Sequence, residues 1–153
     1  MSSEEFCSRL DTFFGKVPKD FRYAVEIRNA ELLGPDYRKV LENHGVAHVY
    51  NHWSYMPPLR EQHEQMEERF TAPFTILRLL TPLKMSYEAA KKRAEPYTMM
   101  VEELPEMRRD TVELVRKVVG EKRKAYVLVN NRSEGNAPLT IQALRNALQA
   151  AET

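Results

Sequence analysis

Glu26 and Arg28 stand two residues apart in the run Ala24-Val25-Glu26-Ile27-Arg28-Asn29, so in an extended segment both side chains leave the same face. A second arginine, Arg78, sits inside another apolar run, Phe74-Thr75-Ile76-Leu77-Arg78-Leu79. Two guanidiniums that converge can hold an anionic group such as phosphate, because the planar fork matches its oxygens. The plainer outcome is that Glu26 pairs with one or both arginines and nothing else binds. A carboxylate beside guanidiniums stays ionised, so Glu26 would orient a ligand or act as a weak base rather than serve as an acid. One carboxylate also falls short of the pair that a glycosidase needs.

Other polar groups fall at the ends of apolar runs. Asn51 and His52 close Val46 to His52, and Asn130 and Asn131 close Ala125 to Asn131. Neutral amides suit sugar hydroxyls or base edges, though neighbouring strand residues face opposite sides, so only one of Asn130 and Asn131 can share a face with the arginines. Trp53 and Tyr55 follow His52 and can stack on a ring or pack on the next helix. The histidines His44, His48, His52 and His63 do not form a metal set, since His48 and His52 on one strand lie about 13 Å apart. No metal or other cofactor is expected. Cys7 has no adjacent base and reads as an inert, partly buried thiol.

These residues need elements to position them. Ser2-x-x-Glu5 has the form of a capping box, and Phe6, Leu10, Phe13 and Phe14 recur at helical spacing. Phe21 to Asn29 alternates as a strand. Asp36 is placed to cap a helix carrying Tyr37, Val40 and Leu41, which Gly45 ends. A strand from Val46 to His52, a helix after Pro57-Pro58, and a strand from Phe74 to Leu80 follow. Helices from Ser86 to about Ala94 and from Pro105 precede the strand Ala125 to Asn131, and a last helix starts near Leu139. Four strands alternating with helices predict an α/β fold with a parallel sheet, in one domain over residues 1–153. Such units suit half of a (β/α)8 barrel or a small open sheet. The chain holds no G-x-G-x-x-G or Walker sequence, and polar Glu26 and Arg28 inside a strand suit a barrel lumen.

Net charge is +1, from 23 Lys and Arg against 22 Asp and Glu, which gives no overall field to gather nucleic acid. The basic clusters Lys91-Lys92-Arg93, Arg108-Arg109 and Lys122-Arg123-Lys124 are interleaved with Glu88, Glu95, Glu113 and Glu121, as on a solvated helix surface. No apolar run approaches about eighteen residues, and the lone cysteine forms no internal disulfide, so a reducing cytoplasmic setting without membrane association is expected.

The sequence Ala24-Val25-Glu26-Ile27-Arg28-Asn29 resembles the A-V-E-x-R-[NH] motif of the YecE-like family, also called domain of unknown function number 72. Arg78 in its strand is similar to the family's Y-x-R segment. Tyr97, and Val129-Asn130-Asn131 followed by Gly135 and Ala137, are similar to its F-N-N-x-x-x-G-x-A ending. The chain departs from common members at Val49-Tyr50-Asn51-His52-Trp53 and at Leu80-Thr81-Pro82. The resemblance implies a (β/α)8 TIM-type barrel, of which strands five to eight are expected here and the amino-terminal G-x-x-G-W and E-x-N-x-x-F segments are not. In such barrels sites gather at the carboxyl ends of strands. That nominates Glu26, Arg28, Asn29, Asn51, His52, Arg78, Asn130 and Asn131 as ligand-binding residues. No catalytic residue is assigned. Two outcomes follow: a barrel that binds or hydrolyses a phosphate- or sugar-containing ligand, or a non-catalytic fragment or subunit. Half a barrel leaves two strand edges open, so a homodimer or a complementing amino-terminal half is the expected partner.

Overall fold

A computed structural model of the protein describes residues 1–150; residues 151–153 of the expected domain lie outside the described residues. Helix α1 (Ser3–Lys16) opens with half of the expected capping box: the Ser2 hydroxyl accepts from the Glu5 amide at 3.1 Å, while the Glu5 carboxylate accepts from Arg9 at 2.6 Å. Its buried Cys7 and Phe14 face α2 (Pro35–His44), with Phe6 and Tyr37 ring centroids 6.1 Å apart. Helix α2 starts one residue before Asp36: Pro35 takes the first helical position and Gly34 the cap, so Asp36 lies within the first turn. Gly45, at φ 64°, ends the helix as expected.

Strand β1 is far shorter than the alternation from Phe21 to Asn29 predicts, covering only Ala24–Val25. Beyond Val25 a side chain replaces the ladder, since the Ile27 carbonyl accepts from Asn51 Nδ2 at 2.8 Å. The chain then turns out through a 3-10 turn at Ala30–Leu32. Strand β2 (Ala47–His52), helix α3 (Leu59–Gln65) and strand β3 (Phe74–Leu79) follow. Then come α4 (Tyr87–Ala94), capped by the Ser86 side chain, and α5 (Pro105–Gly120). Strand β4 (Lys124–Val129) stops two residues short of Asn131, because Asn130 caps the short helix α6 (Asn131–Glu134). Helix α7 (Ala137–Gln149) starts two residues before Leu139, capped by Asn136.

All four strands are parallel, in the order β1-β2-β3-β4. Each strand is followed by helix, and the arrangement is that of half a (β/α)8 barrel. The register sets the two faces. Asn51 is opposite Arg78, which is opposite Leu128, and His52 is opposite Leu79, which is opposite Val129. One face carries Tyr50, Leu77 and Leu79 into a core with Leu59, Met107, Leu114, Val118 and Leu144 of the helices. On the other, concave face lie Ala47, Val49 and Asn51, then Phe74, Ile76 and Arg78, then Tyr126 and Leu128. A second core joins α1, α2 and β1 through Phe14, Ile27, Tyr37 and Leu41.

Candidate functional site

The concave face gathers four of the eight nominated residues. Glu26 leaves the end of β1 toward β3, and its two carboxylate oxygens take one guanidinium each. Oε1 accepts from Arg28 Nε at 3.0 Å, and Oε2 pairs with Arg78. The carboxylate is largely enclosed, while the two arginine side chains remain 45% and 38% exposed, so each cation has a protein side and an open side. The Arg28 guanidinium also lies over the Trp53 ring, 5.0 Å from its centroid, and Tyr55 meets Trp53 edge-on. Trp53 therefore gives the Arg28 guanidinium an aromatic face to stack on.

Asn51 is fully buried between these charges. Its amide nitrogen is committed to the Ile27 carbonyl, its main chain is held by Gln62 Nε2 at 2.8 Å, and its Oδ1 has no hydrogen-bond partner. An acceptor in that state is uncommon, because a buried polar atom without a partner costs about 1–3 kcal/mol.

The other four nominated residues lie elsewhere. Asn29 donates to Glu31 at 3.1 Å, on the exposed turn after β1. Asn130 accepts from the Arg132 amide at 2.9 Å and Asn131 from the Ala137 amide at 2.8 Å, so both side-chain oxygens serve as local caps. His52 points to the helix side of the sheet, where its Nδ1 lies 2.8 Å from the Thr81 carbonyl.

The remaining histidines are structural. His48 Nδ1 contacts Tyr37 Oη at 3.1 Å and His63 Nδ1 contacts Tyr50 Oη at 2.8 Å, in a layer of edge-packed rings between the sheet and its helices. Burial lowers the His48 pKa to about 3 and the His63 pKa to about 4, and it raises both tyrosines. His44 instead meets Asp11 at 2.7 Å. Among the described residues no three His, Cys, Asp or Glu side chains stand close enough to hold a metal ion.

A buried charge went unread in the sequence. Glu134 is fully enclosed and accepts from Arg108, from the Leu104 amide at 2.6 Å and from the Thr140 hydroxyl at 2.7 Å. It ties α5, α6 and α7 together. Of the basic clusters, Arg93 pairs with Glu102 and Arg123 with Glu121.

The family described as a protein of unknown function, DUF72, matches this chain over residues 1–153. The chain belongs to the DUF72 family. The DUF72 fold is seen in solved structures. A DUF72 family protein of Thermotoga maritima superposes with a TM-score of 0.59 at 23% identity, covering 94% of this chain and 51% of its own. One from Enterococcus faecalis superposes at 0.63 with 17% identity, covering 95% and 52%. This chain thus spans about half the length of those DUF72 structures, and at such identities the likeness is one of fold. No curated protein matches the chain. No helix among the described residues is long and apolar enough to cross a membrane.

Proposed function

We propose that the concave face binds a small ligand that carries a phosphate or a similar anion together with hydroxyl groups, as a sugar phosphate does. The observation that supports this is the sharing of one carboxylate by two half-open guanidiniums. Each arginine gives Glu26 one close contact, so N–H donors and one net positive charge are left facing the open side. Asn51 Oδ1 is buried and lacks a partner, so a ligand hydroxyl that displaces the side chains covering it would supply the missing donor, where a phosphate can only accept. Binding is the better-supported activity: both oxygens of Glu26 are taken by arginines, and a hydrolytic step would need a free base. A reducing cytoplasmic setting fits the buried, unpaired Cys7.

A second reading, that the chain is a non-catalytic part of a larger barrel, rests on β4. There Tyr126 and Leu128 are 40% and 53% exposed on the concave face, at the edge strand. A complementary half-barrel, from a second copy or an amino-terminal half, would cover them.

Titration calorimetry with glucose 6-phosphate and with glucose tests the first reading. Saturable binding of the phosphate alone, weakened about tenfold by Arg78→Met, is expected, since a charged hydrogen bond contributes about that much. Equal heats from both sugars, or no effect of the substitution, would remove it.

A further inference from the structure

A cleft of about 380 Å³ opens on the opposite side of the sheet, between the loops after β2 and β3 and the start of α5. Its lining has an unusual charge. Glu102, Glu103, Glu106 and Asp110 all face it, and no lysine or arginine does. Its walls are apolar, from Pro58, Pro82, Leu83, Met85, Leu104 and Met107.

Two buried residues that line it each carry an acceptor atom without a hydrogen bond. His52 is 5% exposed, and because a carbonyl only accepts, its Nδ1 must carry the proton given to Thr81. The Nε2 lone pair is thereby left bare, with no partner among the described residues. Burial keeps the ring neutral by lowering its pKa. Asp110 is 2% exposed; its Oδ2 accepts from the Arg60 amide at 3.3 Å, while Oδ1 has no hydrogen bond and stands 3.9 Å from Arg109 Nε. The acidic rim is only partly neutralised from behind. Arg93 serves Glu102, Arg109 lies 4.0 Å from Glu106, and Arg108 is 3.5 Å from Glu103 but is mainly bound to Glu134. Five carboxylates thus share three guanidiniums, leaving an excess of negative charge around a greasy slot.

We propose that this cleft, lined by His52 and Asp110, binds a small organic ammonium ion with an apolar tail. An ammonium brings the donors that His52 Nε2 and Asp110 Oδ1 lack and the charge that the rim calls for, and the tail fills the Pro, Leu and Met walls. A bare metal ion does not suit the cleft, since no three ligating side chains converge among the described residues. The site is independent of the concave face, which lies across the sheet and selects the opposite charge.

The test is a titration of the protein, labelled with 13C in its methionine methyl groups, with n-pentylamine at neutral pH, beside pentan-1-ol and pentanoate. Saturable shifts of Met85 and Met107 with the amine alone are expected. Asp110→Asn should weaken them about tenfold and Glu106→Gln by a few fold, whereas Glu113→Gln, on the same helix but lining the neighbouring groove, should leave them unchanged. Equal binding of the alcohol, absence of saturation, or an equal loss in Glu113→Gln would each overturn the proposal.

Discussion

Arg78 reaches across β2 to pair with Glu26, so the two residues join strands that are not neighbours in the sheet. The link passes over Asn51, the residue opposite Arg78 in the register. The curvature of the sheet makes this possible: on a concave face the ends of β1 and β3 lean toward each other, and a long arginine spans the gap. Arg28 approaches the same carboxylate from its own strand end, so the charges form a row rather than an isolated pair.

Removing the middle of that row should matter more than removing an end. Glu26→Ala leaves two cations facing one another and is expected to cost about 1 kcal/mol in urea unfolding, a modest figure because both arginines are partly hydrated. Arg78→Ala should cost less, and the Glu26–Arg78 double-mutant cycle should show a favourable coupling that shrinks in high salt. Additive single effects would mean that the pair contributes nothing.

The ring layer behind the sheet predicts a pH dependence. His48 and His63 have pKa values near 3 and 4 in the folded chain, below the ordinary value of 6.5. A group whose folded value is depressed in this way binds its proton more readily once unfolded. Stability from both is therefore fully present above about pH 6.5 and is lost as pH falls toward 4 for His63 and toward 3 for His48, by about 2 kcal/mol for His48 at pH 5 and by less for His63, whose charge water screens more. Urea midpoints at pH 7.5 and pH 5 check this, and His63→Gln should flatten part of the slope.

Glu134 should be the most sensitive charge in the chain. Arg108→Met strips its ionic partner while leaving it enclosed, and a loss of about 3 kcal/mol is expected by thermal or chemical unfolding. Arg109→Met, next to it but 61% exposed, should change stability by less than about 0.5 kcal/mol.

Gly135 lies where a side chain has no room. At φ 118° a Cβ would stand 2.5 Å from the Met99 carbonyl oxygen and 2.7 Å from the Val101 nitrogen, both backbone atoms. Gly135→Ala should therefore cost about 3 kcal/mol. Gly45→Ala, at φ 64° in open space, should cost about 1 kcal/mol.

Hydrophobic period and turn residues made the order of elements legible, from the Ser2 cap to the alternating β4, because both follow from local chemistry. The end of β1 did not read correctly. Tyr23 to Arg28 alternates like a strand, but pairing there is decided by Asn51, a residue distant in sequence that takes the Ile27 carbonyl. The same limit divides the candidate residues. Glu26 and Arg28 were legible as a pair sharing one side of an extended segment, though they lie just beyond β1, and Arg78 as a strand position, whereas Asn130 and Asn131 are consumed by caps that form only once α6 and α7 are in place. His52 was placed one strand position too generously: its neighbour Asn51 takes the concave face, so His52 must take the other. Glu134 and Asp110 gave no signal, since a buried acid has the same letter as an exposed one.

Anion binding by the concave face is read most simply from a phosphate titration followed by the guanidinium 1H–15N resonances of Arg28 and Arg78. Saturable shifts of both are expected, with the Arg28 shifts weakened in Arg78→Met protein, the Arg78 shifts weakened in Arg28→Met protein, and all of them weakened by added salt. Resonances that stay still while phosphate rises would contradict it, and would leave the three charges as a structural row that satisfies itself.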